Sequence, residues 1–245
     1  MAGQLLSVEP DAGFWAVQNR QFLRRALVWA INVAGVGQVL DIGAGMADTV
    51  GAPHEVVARC RPGVRVLYVD IDPVAVASAR FVARERAEVR DVAALAGDLR
   101  EPSQILTDPE LTTFLDLGAP VVVLLGAVLH FVAGRDDPEG IIEALRDAVA
   151  PGSVLVVSHA TAPVGMSPEQ VRVTREYSEL TAPLTFRSRD QVAELLALFG
   201  DVVAPDVVRV ANWRPDQGDL TDVERARLDR IPGWVGVAVK GGATS

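Results

Sequence analysis

The chain has very little cysteine and lysine: Cys60 and Lys240 are the only ones among 245 residues. A single cysteine excludes an intrachain disulfide and any cysteine-built metal cluster, and it suits a reducing cytoplasm; no metal ligand is expected among the candidate site residues. The other 22 basic residues are arginines, a bias that points to genome base composition rather than to a binding site. Long apolar runs are also missing. The longest, such as Pro120 to Leu129, reach about half the ~20 residues a membrane helix needs. The opening MAGQLLSVEPDAG has neither the basic start nor the apolar stretch of a secretory signal. Positive charge is in deficit, with 23 basic against 32 acidic residues and a formal charge of −9. No basic stripe stands out, so general affinity for a nucleic-acid backbone is not expected. What is abundant is apolar residue content, 49%, against 22% charged, which suits one sizeable folded core and excludes wholesale disorder.

Strand-like and helix-like segments alternate along the chain. Phe14 to Ala34 reads as a helix from apolar residues recurring every three to four positions, and Gln38 to Ile42 as a buried strand. A short helix from Pro53, a strand Val64–Val69, a helix from Pro73 to about Arg86 and a weaker strand Val92–Gly97 follow. Ser103 to Leu117 reads as broken helix, Pro120 to Leu125 as a strongly apolar strand, Pro138 to Val149 as an amphipathic helix and Ser153 to Val157 as a strand. Ser167 to Leu180 and the stretch after Ser188 both begin like capped helices, with glutamine three residues past the serine. Asp201–Val210 and Trp234–Val239 are β-rich and fit an antiparallel pair, separated by a polar insert that holds a short helix from Thr221 to Arg230. The whole predicts one α/β domain with a largely parallel sheet.

The chemistry gathers at strand ends, where open α/β sheets bind ligands. The first strand ends in Asp41-Ile42-Gly43-Ala44-Gly45, and its glycines permit a tight turn and close backbone approach. The dinucleotide fingerprint G-x-G-x-x-G fails, because Asp48 stands where its third glycine belongs; this disfavours a nicotinamide-dependent oxidoreductase. The second strand ends in Asp70-Ile71-Asp72-Pro73. Asp70 can accept both hydroxyls of a ribose, while Asp72 reads as a helix cap. The third ends in Gly97-Asp98-Leu99-Arg100, where Asp98 could accept from an exocyclic amine. His130 and His159 follow the fourth and fifth strands and are expected to face one rim. His130 is the first candidate for a general base or acceptor contact and His159 the second; His54 reads as capping or orienting the long first loop.

This ordered set, with Pro151-Gly152-Ser153 and the closing hairpin, resembles the class I S-adenosylmethionine-dependent methyltransferases. Narrower phrases resemble one bacterial group within them, the S-adenosyl methyltransferase family, formerly a domain of unknown function. They include Asn19-Arg20-Gln21-Phe22-Leu23, Pro53-His54-Glu55-Val56, Tyr68-Val69-Asp70, Val128-Leu129-His130-Phe131-Val132, Ser158-His159-Ala160-Thr161 and Trp213-Arg214-Pro215. Members usually carry a longer N-terminal segment rich in Tyr, Gly and Lys than the dozen or so residues ahead of Phe14.

The resemblance implies a Rossmann-like fold with a seven-stranded, mostly parallel sheet, a C-terminal antiparallel hairpin and helices on both faces. It implies S-adenosylmethionine as cofactor, with S-adenosylhomocysteine as product. Gly43 and Gly45 would pack on its amino-acid part, Asp41 would reach its ammonium, Asp70 its ribose and Asp98 its adenine amine, with Ile71 and Leu99 also in contact. Gly126 and Ala127 would offer backbone groups near the sulfonium. One domain, 1–245, would divide into an N-terminal helical cap (1–36), a cofactor core (37–159), an acceptor lid (160–187) and a C-terminal helix and hairpin (188–245). The activity implied is in-line methyl transfer; the negative charge, the missing basic patch and the three histidines point to a polar small-molecule acceptor with no nucleic-acid or membrane partner, and a homodimer is a common assembly at this size. The alternative is a pseudo-enzyme or sensor that binds the cofactor without transferring methyl.

Overall fold

The structure, a computed structural model, describes residues 12–47, 49, 51–85, 91–161, 184–216, 221, 223 and 233–241. Asp48, the expected helix Ser167–Leu180, most of the expected lid and most of the expected Thr221–Arg230 helix lie outside these residues.

Helix α1 (Ala12–Asn32) precedes β1 (Gln38–Ile42), then come α2 (Pro53–Cys60), β2 (Arg65–Asp70), α3 (Pro73–Glu85) and β3 (Val92–Ala96). Two short helices, α4 (Pro102–Leu106) and α5 (Pro109–Phe114), lead to β4 (Val122–Gly126), α6 (Pro138–Ala148) and β5 (Val154–Ala160). Helix α7 (Arg189–Phe199) and strands β6 (Asp201–Val202), β7 (Val208–Arg209) and β8 (Gly233–Val239) complete the chain. The sheet runs β3-β2-β1-β4-β5-β8-β6, with β7 also on β8; β1 to β5 pair in parallel and the C-terminal strands antiparallel. Because β1 lies between β2 and β4, the chain reverses its direction of winding there and opens a crevice above the strand ends.

Parallel strands covered on both faces are mostly apolar, and β1 is buried at every position, its Gln38 and Asp41 included. Alternation along β4 then sorts side chains between two cores. Val122 and Leu124 join Phe22, Val56 and Val76 beneath α1, α2 and α3. Val123 and Leu125 join Ile105, Leu111, Ile142 and Leu196 beneath α4 to α7.

The expected seven-stranded sheet holds with one change: its last position is split in two. Asp201 pairs with Val239 and Val208 with Val235, so β6 and β7 lie end to end on the same strand. Between them Pro205 brings no backbone N–H, and Asp206 takes a left-handed φ of 74°, so the arm leaves the ladder and rejoins it. Capping matches expectation. Ser188 Oγ accepts from the Gln191 N–H while Gln191 Oε1 accepts from the Ser188 N–H, a reciprocal box that starts α7.

Helix α1 is braced from the far end of the chain. Fully buried Trp213 meets Phe22 and Trp29 edge to face, at centroid distances of 5.6 and 6.2 Å. Buried Arg25 donates to the carbonyls of Trp213 (3.0 Å) and Val210 (3.1 Å), and Arg24 pairs with Asp216. The phrase Trp213-Arg214-Pro215 is thus a structural buttress.

Candidate active site

The turn after β1 needs its glycines for different reasons. Gly43 has φ +76°, and a Cβ there would lie 2.3 Å from Val128 Cγ2, so both conformation and crowding require glycine. Gly45 has φ +63° but faces open space. Its N–H donates to Asp70 Oδ2 at 2.8 Å, and the Asp72 N–H donates to Asp70 Oδ1 at 2.8 Å. Two backbone donors therefore aim the Asp70 carboxylate, leaving further lone pairs for hydroxyl donors. Asp72 accepts from the Val74 N–H at the start of α3, the capping role expected of it.

At the end of β3, Asp98 is gripped by Arg100. Arg100 Nη2 donates to Asp98 Oδ2 at 2.6 Å, its Nε reaches both oxygens at 3.0 Å, and its backbone N–H donates to Oδ1 at 2.9 Å. The side-chain hydrogen bonds from Arg100 hold the Asp98 carboxyl below its ordinary range, against the opposing effect of burial. Sequence reasoning gave Arg100 no role, although its position two residues past an aspartate is compatible with such a local turn. Leu99 is buried, while Ile71 is 63% exposed. These residues, with Phe131 and Val132, line a cavity of about 640 Å³.

A second cavity, of about 410 Å³, lies between α1 and the ends of β1 and β4. Asp41, Tyr68, Asn19, Leu23, Met46 and Gly126 line it, and it shares Gly43 and Ala127 with the first. Gly126 gives Leu23 of α1 room to approach: a Cβ there would lie 2.9 Å from its terminal methyl. Ala127 holds a left-handed φ of 58°, and its N–H already donates to Ser158 Oγ (2.9 Å) and Ser158 O (3.1 Å). The expectation that this residue offers backbone groups to a ligand narrows accordingly to its carbonyl.

Asp41 is the unusual group. It is 5% exposed, in the middle of an apolar sheet, and its carboxylate accepts no hydrogen bond from the described residues. Burial, and secondarily the charge of Asp70, push its pKa up to about 8. A buried carboxyl without a donor is costly unless a ligand supplies one. Its cross-strand neighbour Tyr68 was not anticipated as a site residue. The Tyr68 hydroxyl accepts from the His54 N–H (3.1 Å) and lies 2.8 Å from His54 Nδ1, so His54 ties the first loop to β2, the orienting role expected of it.

The two histidine candidates are brought together, with ring centroids 5.7 Å apart, but not on an open rim. His130 is 5% exposed and His159 fully buried, and neither lines the two cavities. His159 Nδ1 lies 2.5 Å from the Ala160 carbonyl, and its Nε2 accepts from Arg187 at 2.9 Å. His130 Nδ1 accepts from the Ala160 N–H at 3.3 Å. Burial lowers the His130 pKa to about 3, helped by His159 and the Arg187 charge; burial lowers that of His159 to about 4. The expected exposure is thereby corrected: Phe131 packs on His130, Arg187 holds His159, and both rings are buried. Bases this weak are poorly matched to proton abstraction near neutrality. Arg187, missed at the sequence level, also donates to the carbonyls of Leu129 (3.0 Å) and Val132 (2.9 Å). Its partners are 55 and 58 residues away, which leaves no local signal.

The residues present fit S-adenosylmethionine. Asp41 lacks a cationic partner, Gly45 leaves room beside Asp70, and the two cavities meet at Gly43 and Ala127 as a two-ended ligand requires. The sequence model of the S-adenosyl methyltransferase family matches residues 1–241. No functionally curated protein matches the chain in sequence. A crystal structure of a DUF574 family protein from Streptomyces avermitilis is 32% identical, with a TM-score of 0.85 over 97% of this chain and 88% of that one. A candidate methyltransferase from Thermobifida fusca is 29% identical, with a TM-score of 0.83 over 98% and 87%. The mitomycin 7-O-methyltransferase MmcR shares the fold at 21% identity, with a TM-score of 0.53 over 97% and 60%. No helix among the described residues is long and apolar enough to cross a membrane. With its sheet order, its glycine turn and its acidic strand ends, the chain belongs to the S-adenosyl methyltransferase family and is a class I S-adenosylmethionine-dependent methyltransferase.

Proposed function

We propose that this enzyme methylates a polar small molecule, with the cofactor laid across both cavities: adenosine beside Asp70, Asp98 and Leu99, the amino-acid end beside Asp41. The observation that carries this reading is the buried Asp41 carboxyl, which has no donor among the described residues and lies in the smaller cavity beside Gly126. S-adenosylmethionine held there would supply an electrophilic methyl sulfonium: an acceptor lone pair would take the methyl, the carbon–sulfur pair staying on the sulfur of S-adenosylhomocysteine and any acceptor proton passing to solvent. The chain's own part is positioning. Asp41 holds the ammonium, Asp70 the ribose hydroxyls, and Asp98, kept ionised and fixed by Arg100, the adenine amine. Leu23 and the other α1 residues exclude water from the Gly126 end. Alignment of nucleophile and methyl then supplies most of the rate effect. In this reading His159 and His130 are buried structural groups behind the site and abstract no proton. A small-molecule acceptor is in keeping with a net charge of −9 and with what MmcR is named for.

The test is transfer of labelled methyl from S-adenosylmethionine into metabolite mixtures, with Asp70→Ala as control. Label should appear in a small product. Asp70→Ala should weaken S-adenosylhomocysteine binding ten- to a hundred-fold, about 1.5–3 kcal/mol, by calorimetry. Label recovered in protein or nucleic acid, or tight cofactor binding with no transfer to any acceptor, would count against the reading.

A further inference from the structure

The phrase Asn19-Arg20-Gln21-Phe22-Leu23 has so far explained only packing. Phe22 is fully buried in the core beneath α1, and Leu23 abuts Gly126. Asn19 lies one turn before Leu23, on the helix face that lines the smaller cavity with Asp41 and Gly43. It is 9% exposed, and its Oδ1 is wholly occluded with no hydrogen-bond partner among the described residues. Its amide nitrogen likewise donates to none of them. A buried carboxamide without partners is destabilising, so its presence beside a cavity calls for a polar ligand.

We infer that Asn19 is a binding residue for the α-amino-acid end of the cofactor, its amide nitrogen donating to the carboxylate while Asp41 accepts from the ammonium. The inference rests on the reading that the amino-acid end occupies the smaller cavity. Charge decides the division of labour. Asp41 is already an acceptor and suits the cationic half of an α-amino acid. The anionic half then needs a donor, which a carboxamide can turn to it and a carboxylate cannot. Placing that donor on α1 also makes the helix part of the cofactor contact as well as a cover. Gln18, buried with an equally unpartnered Oε1, does not line this cavity and is given no such role.

The test compares two ligands that differ only at this end. S-adenosylhomocysteine carries the amino acid, whereas 5′-methylthioadenosine is the same nucleoside thioether without it. Calorimetric titration of wild type, Asn19→Ala and Asn19→Asp with each ligand separates the roles. Asn19→Ala should lose about tenfold in affinity for S-adenosylhomocysteine, the effect of one charge-assisted hydrogen bond, and change less than about twofold for 5′-methylthioadenosine. Asn19→Asp should lose more than Asn19→Ala, since it sets an anion against the ligand carboxylate. Circular dichroism melts confirm that the variants fold. Equal losses for both ligands mean a packing role and overturn the inference, as does undiminished binding of S-adenosylhomocysteine. Tighter binding by Asn19→Asp would also overturn it, by assigning the residue to the ammonium. Failure of the wild type to bind either ligand would instead sink the cofactor placement on which the inference rests.

Discussion

At the scale of the residue, Asp41 shows how a site keeps a group that the fold alone disfavours. Without ligand its carboxyl is protonated up to about pH 8, because burial penalises the anion and Asp70 repels it. Engaging an ammonium requires the anion, so binding below that pH releases a proton, and affinity should rise with pH up to about 8. Calorimetry in buffers of different ionisation enthalpy reads this directly; a heat independent of buffer at pH 7 would refute it. Asp41→Asn should lose ten- to a hundred-fold in affinity for S-adenosylhomocysteine. Without ligand the same variant should be the more stable protein at pH 8, by about 1–3 kcal/mol, because it never buries a carboxylate. Function and stability then pull in opposite directions at one atom pair. A variant that loses both would show that Asp41 is structural.

At the scale of the element, the site depends on how strands end and on what presses against them. The strands β1 to β5 were legible in the sequence because strands buried on both faces read as unbroken apolar runs; Val122 to Leu125 is the plainest case. The glycine turn and the acidic strand ends were legible for the related reason that left-handed backbone and charge after an apolar run are conspicuous. The split between β6 and β7 was not legible, since a two-residue strand carries no periodicity. The burial of His130 and His159 was equally hidden, because it is made by Arg187 and by packing from distant segments. Asn19 reads in sequence as an ordinary helix residue, and only the cavity beside it distinguishes it. Helix α1 supplies the prediction at this scale. Trp213→Leu removes the edge contacts to Phe22 and Trp29 and leaves space beneath the helix. A loss of roughly 2–4 kcal/mol should lower the melting temperature by roughly 5–15 °C in a chain of this size. Cofactor affinity should fall as well, because α1 closes the smaller cavity. Unchanged affinity in the folded variant would separate the buttress from the site.

At the scale of the whole molecule, three buried groups shape the response to pH. His130 and His159 resist protonation in the folded chain, with pKa values of about 3 and about 4, whereas unfolded histidines take up protons below about 6.5. Stability from both is therefore present above about pH 6.5 and is lost as pH falls. Asp41 acts in the opposite sense: the folded state keeps a proton that the unfolded state releases between about pH 4 and 8, so stability declines as pH rises through that window. Two groups outweigh one below about 6.5, and Asp41 stands alone above it. Ligand-free stability should peak near pH 6.5 with limbs of about 1.4 kcal/mol per unit. Urea midpoints across pH 4.5–8.5 test this. Asp41→Asn should flatten the upper limb, and a steady rise from pH 5 to 8 in the wild type would contradict the assignment.

The bond from Arg25 to the Trp213 carbonyl joins residues 188 positions apart. During synthesis Asp41, Asp70 and Asp98 leave the ribosome early, yet the segment that braces α1 beside Asp41 arrives only after nearly nine-tenths of the chain has been made. Contacts of such separation form late, because the intervening chain must first be ordered. On the cofactor placement proposed above, a nascent chain would present its ribose and adenine contacts before it could hold the amino-acid end. Tight capture of the cofactor would then be a property of the finished molecule, with bound ligand stabilising the last folding step rather than the first.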